Sequence, residues 1–216
     1  MRIIGHRGCA AEFPENTLAA VRGAAPHVDL IEIDVRRCQS GELVVFHDET
    51  LGRLTAASGR VSETDYEELA TLTVGTSDES IPTLAAVLDA VPNGIGLNIE
   101  LKERGLSEEI LGLLEGRSTE VIVSSFDPEA LAPFGNVPTA VLCAESFENS
   151  LSTALDLDCQ YIHPRYTIVD GDSIGLAHQQ GLSVNAWTVP TATEVERLAE
   201  QGVEGVIVDS WRIVPD

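Results

Sequence analysis

The chain has 216 residues, with 35 acidic against 13 basic side chains and a formal net charge of −22. A field of that sign repels nucleic acid and anionic membrane surfaces, and no run approaches the ~18 consecutive apolar residues of a membrane-spanning helix. Neither nucleic-acid binding nor stable membrane insertion is therefore expected, and the length suits one (β/α) barrel near its lower size limit.

Short β-branched runs fall at residues 3–6, 30–35, 95–101, 121–124, 139–142, 161–163, 183–187 and 205–208. Helical patterns lie between them, near 17–25, 83–91, 107–116, 128–132, 148–157, 172–180 and 192–201. Pro82-Thr83, Ser107-Glu108-Glu109, Asp127-Pro128-Glu129 and Thr191-Ala192-Thr193-Glu194 are helix start signals, and Gly181 and Gly202 stand where a left-handed C-cap is wanted. This alternation predicts an α/β fold, a single (β/α)8 TIM-type barrel spanning 1–216. One interval breaks the rhythm. Between 30–35 and Leu43-Val44-Val45-Phe46-His47-Asp48 no helix fits, so a β-hairpin turning near Ser40-Gly41 is expected after the second strand, setting Asp34 roughly opposite His47. Residues 49–80 read as a short insertion on the active face, with a small helix over 63–72.

The first strand begins almost at Met1 with no apolar leader, and Cys9, Cys38, Cys143 and Cys159 are too scattered for a zinc or redox pair. A cytoplasmic protein with reduced, buried thiols is expected, with homo-oligomerisation left open. The acidity reads as a solvated surface, and adaptation to concentrated salt is the hypothesis that explains its size.

Strand alternation places Glu32 and Asp34 on one face of their strand and Asn98, Glu100 and Lys102 on one face of theirs, so that three carboxylates point to one place. Burying such carboxylates without partners costs several kcal/mol each, in the range of about 3–5 kcal/mol for an unpaired buried charge. Two arrangements resolve this: a bound hard cation, Mg²⁺ or Ca²⁺, or an ion-pair network with Arg7, Arg36 and Lys102. Lys102 is the only lysine of the chain, which marks its ammonium as chosen. His6 and His47, each at a strand end, are the candidates for proton transfer, and Arg7 offers a planar fork suited to phosphate oxygens. Gly8 suits a tight exit from the first strand, and Asp48 either orients a histidine or caps the next turn, the turn being the preferred reading. His27, His163 and His178 read as structural or surface groups.

His6-Arg7-Gly8 with Pro14-Glu15-Asn16-Thr17, Glu32-x-Asp34, Val44-Val45-Phe46-His47-Asp48, Ile81-Pro82-Thr83-Leu84, Asn98-Ile99-Glu100-Leu101-Lys102 and Ala186-Trp187-Thr188-Val189 together resemble the glycerophosphodiester phosphodiesterase family, over essentially the whole chain. The resemblance implies a (β/α) barrel with its active site at the strand C-termini. It also implies a divalent metal, Mg²⁺ or Ca²⁺, on Glu32, Asp34 and Glu100, and His6 and His47 as the acid–base pair. Arg7 and Lys102 would hold phosphate and Trp187 would line the substrate pocket, with Phe126 as a second wall. The implied reaction is hydrolysis of a small-molecule glycerophosphodiester to glycerol phosphate and an alcohol, through a cyclic phosphate made by a substrate hydroxyl. Two alternatives stand beside it: a lysophospholipase D or phosphodiester lyase on the same barrel, and a catalytically silent phosphate-binding protein.

Overall fold

A computed structural model describes residues 1–215. The β-branched runs form β1 (Arg2–Gly5), β2 (Leu30–Arg37), β3 (Leu43–Val45), β4 (Gly96–Leu101), β5 (Val121–Ser125), β6 (Thr139–Cys143), β7 (Tyr161–Pro164), β8 (Ser183–Ala186) and β9 (Gly205–Val208). All except β3 are parallel, and β1 pairs with both β2 and β9, which closes an eight-strand barrel. The short β3 returns antiparallel along the outer end of β2, with Val35 opposite Val45. That register sets Asp34 against Phe46, whose N–H donates to the Asp34 carbonyl at 2.9 Å, one residue short of the His47 expected there.

Alternation decides what the barrel holds. Outward residues such as Ile31, Ile33, Val35, Leu97, Ile99 and Val123 join the helices in the main core. Inward, Ile4, Leu30, Ile122, Ala140 and Ile207 make a small apolar plug. The same inward rows then turn polar: Glu32 and Asp34 follow Leu30, and in register beside them on β4 stand Asn98 and Glu100. A dry floor under buried charges weakens solvent screening and strengthens every electrostatic contact above it.

The helices start where side-chain oxygens meet free N–H groups. Thr17 Oγ1 accepts from Ala20 N at 3.1 Å, Thr83 Oγ1 from Ala86 N at 3.1 Å and Asp170 Oδ1 from Ser173 N at 2.9 Å. The helix Ala192–Gln201 ends on Gly202 at φ 97°, as its sequence position implied. The start expected at Ser107 differs: the helix Ser107–Leu114 has Leu106 at its cap position and no side-chain cap. The insertion folds around Leu51, Val61, Leu69 and Val74, which pack with Phe46 and Ile81 in a separate buried cluster. Its helix is shorter than expected, Tyr66–Leu69, after a 3-10 turn at Val61–Glu63.

All four cysteines are free and buried, and burial pushes the Cys9 thiol up to about 12, consistent with a packing role. Among the described residues no helix is long and apolar enough to cross a membrane.

Candidate active site

His6 and Arg7 lie just past β1, Glu32 and Asp34 within β2, Glu100 and Lys102 at the end of β4, Trp187 just past β8, and His47 two residues past the hairpin strand β3. The chain leaves β1 through a 3-10 turn, His6–Gly8, in which Arg7 is left-handed at φ 50°. Gly8 is required by its surroundings: its φ is +77°, and an added Cβ would lie 2.6 Å from Ala20 Cβ of the following helix. This close approach turns the backbone so that the Arg7 N–H donates to Glu32 Oε2 at 2.8 Å.

Glu32, Asp34 and Glu100 converge, with one oxygen of each within 4.8 Å of the others. Two cations face these three carboxylates. Lys102 Nζ lies 2.8 Å from Asp34 Oδ1 and also contacts Glu100, while Arg7 Nε lies 3.2 Å from Asp34 Oδ2. Asn16 completes the cradle: its Nδ2 donates to Asp34 Oδ2 at 2.8 Å, and its Oδ1 accepts from the Asp34 N–H at 3.2 Å. Burial opposes ionisation of Asp34, but Lys102 and Arg7 overcome it and hold the carboxyl below its ordinary range. Glu32 and Glu100 go the other way, raised by burial and then by the Asp34 charge. Glu32 reaches about 8, and its buried Oε1 has no hydrogen-bond partner.

That orphaned oxygen tests whether a metal fits. Three carboxylates, one with an unpaired oxygen and two reluctant to ionise, match a hard divalent cation, which would favour the charged form of all three. The ion-pair network is also real, but it leaves Glu32 Oε1 uncompensated, and Arg36 belongs elsewhere: its Nε donates to the His47 carbonyl at 2.9 Å.

Both imidazoles are held by aspartates. His6 Nδ1 is 2.7 Å from Asp209 Oδ1, and His47 Nδ1 is 2.6 Å from Asp48 Oδ1. A carboxylate on Nδ1 fixes the N–H there and leaves Nε2 for chemistry. Burial disfavours the charged His6, yet the Asp209 hydrogen bond and the Glu32 charge prevail and raise its pKa. For His47 burial prevails over Asp34 and Asp48, and its pKa falls. The site thus holds one histidine biased toward the proton and one biased away from it.

These groups open on a pocket of about 130 Å³ lined by His6, Glu32, His47, Glu100 and Lys102, with Phe126 and Trp187 as its apolar wall. Trp187 anchors its Nε1–H on the His163 carbonyl at 2.6 Å and meets Phe126 edge-on at 5.5 Å. Arg165 lies over the Trp187 ring, 5.4 Å from its centroid. The Arg7 guanidinium is turned into Asp34 and Glu15 (Nη1 to Oε1, 2.8 Å), beside this lining.

Four residues of this constellation carry roles that sequence reasoning missed or ranked second. Asp209 was legible, lying two residues past Ile207 with inward parity. For Asp48 the less favoured of its two expected roles holds, since its oxygen orients His47. Glu15 and Asn16 come from a loop, where alternation gives no direction. His163 is a buried structural group, lowered to about 3 by burial, and His27 stacks on Trp211 at 4.2 Å, as their lack of catalytic company implied.

The model of the glycerophosphoryl diester phosphodiesterase family matches residues 6–212. The chain belongs to this family. Membership makes it an enzyme, a phosphoric diester hydrolase. A glycerophosphodiester phosphodiesterase of Caldanaerobacter subterraneus is 31% identical over 228 residues, covering 96% of this chain and 93% of the relative. YhdW of Bacillus subtilis, a candidate glycerophosphodiester phosphodiesterase, is 34% identical, covering 97% and 94%. Among solved structures, an Oleispira antarctica phosphodiesterase in complex with its product sn-glycerol-3-phosphate superposes with a TM-score of 0.91 at 29% identity, covering 99% of this chain and 95% of that one. The Thermotoga maritima glycerophosphodiester phosphodiesterase superposes with a TM-score of 0.86 at 27% identity, covering 98% and 95%.

Proposed function

We propose that this phosphodiesterase hydrolyses glycerophosphodiesters to glycerol phosphate and an alcohol, with Glu32, Asp34 and Glu100 holding a divalent cation and His47 and His6 moving the protons. The observation that carries this reading is the pair of aspartate-held imidazoles with opposite proton bias on either side of a three-carboxylate cluster. When bound, Mg²⁺ or Ca²⁺ supplies Lewis-acid charge neutralisation for the phosphoryl group.

The chain's own groups account for the rest. His47, lowered and therefore free at neutral pH, accepts the proton of the glycerol hydroxyl next to the phosphodiester. His6, raised and therefore biased toward its protonated form, donates to the departing alcohol. The roles then reverse as water opens the cyclic phosphate, which follows from microscopic reversibility and needs no protein nucleophile. Lys102 on the pocket wall and Nη2 of Arg7 offer donors to the phosphate oxygens, where charge builds during transfer. Trp187 and Phe126 give the carbon face of glycerol an apolar surface.

The lysolipid alternative needs an apolar entrance, whereas the insertion spends Leu51, Val61, Leu69 and Val74 on its own core. A silent binding protein has no use for two oriented histidines. The test is release of glycerol phosphate from glycerophosphocholine and from lysophosphatidylcholine at equal concentration. Turnover of the first with the second at least an order of magnitude slower supports the reading; preference for the lysolipid overturns it.

A further inference from the structure

We propose that Arg53, in the insertion, is a positioning residue that sets His47 and Arg7 together through one guanidinium. It stands in the 3-10 turn Leu51–Arg53, whose first residue is fully buried in the insertion's own core. From that anchor its fork spans two carboxylates. Nε and Nη2 straddle Asp48, with Nη2 3.0 Å from Oδ1, and Nη1 and Nη2 straddle Glu15 at 3.1 and 2.8 Å. Each carboxylate in turn holds a group of the site: Asp48 Oδ1 lies 2.6 Å from His47 Nδ1, and Glu15 Oε1 accepts from Arg7 Nη1 at 2.8 Å. The contacts run without a break from His47 through Asp48, Arg53 and Glu15 to Arg7.

Geometry, rather than stability, is what this arrangement supplies. The Arg53 side chain is 46% exposed, and exposed ion pairs contribute little to folding. The insertion has its own buried apolar cluster, of which Arg53 is not a part. What the fork fixes is direction. Asp48 uses one oxygen on His47, and its carboxylate is free to rotate unless the other is held. Glu15 lies between two arginines and would otherwise follow Arg7. The planar fork meets each carboxylate with two donors in fixed directions, an alignment that the single ammonium of a lysine does not reproduce. The insertion thereby acts on proton transfer and phosphate alignment without touching substrate.

The inference rests on the proposed roles of His47 and Arg7. It is tested on the full-length protein with Arg53→Ala, Arg53→Lys and, as a control within the same insertion, Arg60→Ala, which breaks only the exposed pair with Glu49. Arg53→Ala is expected to lose kcat on glycerophosphocholine by roughly 10–100-fold, the scale of an ångström-level misplacement, with a raised KM and a melting temperature like that of Arg60→Ala. Added guanidinium ion restores part of the lost kcat in Arg53→Ala alone, and Arg53→Lys recovers it only in part. The hydrogen-bonded His47 Nδ1 proton, followed by NMR, stays sharp in wild type and Arg60→Ala and broadens in Arg53→Ala, a reading that needs no turnover. Wild-type kinetics in Arg53→Ala, an unchanged His47 proton, or a loss that tracks melting and resists guanidinium overturns the proposal. An inactive wild type overturns the proposed function instead, and the NMR comparison still decides the clamp.

Discussion

Glu32→Gln should make the metal-free protein more stable while removing its response to metal. Glu32 is fully desolvated, shares its cluster with Asp34 and Glu100, and ionises at about 8. An unfolded glutamate ionises near 4.5, so at pH 7 the fold holds this group against its preference by about 3 kcal/mol. The cost grows as pH rises from the unfolded value toward the folded one, and at pH 5 it shrinks to about 1 kcal/mol. A glutamine of the same shape keeps an oxygen for the Arg7 N–H and turns donors toward the neighbouring carboxylates. For a chain of this length a gain of up to about 3 kcal/mol corresponds to roughly 6–12 °C in melting temperature. The assay is thermal unfolding in EDTA at pH 7 and pH 5, repeated with Mg²⁺ or Ca²⁺. In EDTA the variant should melt several degrees above wild type at pH 7, with the gap closing at pH 5. With metal at about 1,000 times its dissociation constant the wild type gains about 4.1 kcal/mol and the order inverts. A variant that melts below wild type in EDTA at pH 7 would refute the reasoning, because Glu32 would then be stabilised by its ion pairs and would not be held in strain for a cation.

Catalysis through a free His47 and a charged His6 requires kcat/KM to form a plateau around neutral pH, falling below the lowered His47 pKa and above the raised His6 pKa; a profile flat from pH 5 to 9 counts against the pair. Asp209→Asn removes the partner that raises His6, so kcat should drop on the order of 10²-fold and the alkaline limb should move to lower pH. Gly8→Ala forces a Cβ against Ala20 at positive φ, and a loss of at least about 1–2 kcal/mol, read as a fall in melting temperature, is expected. If the net charge of −22 reflects adaptation to concentrated salt, the melting temperature rises between dilute buffer and molar KCl; no rise removes that hypothesis.

The barrel was legible because its signals are periodic and local. Eight β-branched runs each form a parallel strand, and alternation along β2 and β4 alone points Glu32, Asp34 and Glu100 to one place. Hairpin register was less legible, since a difference of one residue at Ser40-Gly41 moves Asp34 from His47 to Phe46. Loop side chains were least so. Glu15, Asn16 and Arg53 take their roles from contacts across the active face, and nothing in their spacing fixes where a loop directs its side chains. Asp48 shows the same limit, because a turn aspartate and a histidine partner look alike in sequence.

The central claim is tested most directly by release of glycerol phosphate from glycerophosphocholine in molar KCl, with Mg²⁺ or Ca²⁺ and with EDTA, for wild type, His47→Ala and Glu100→Gln. Wild type should turn over only with a divalent cation, and each variant should lose at least about 10²-fold while staying folded. Undiminished turnover in EDTA, or in either variant, would contradict it.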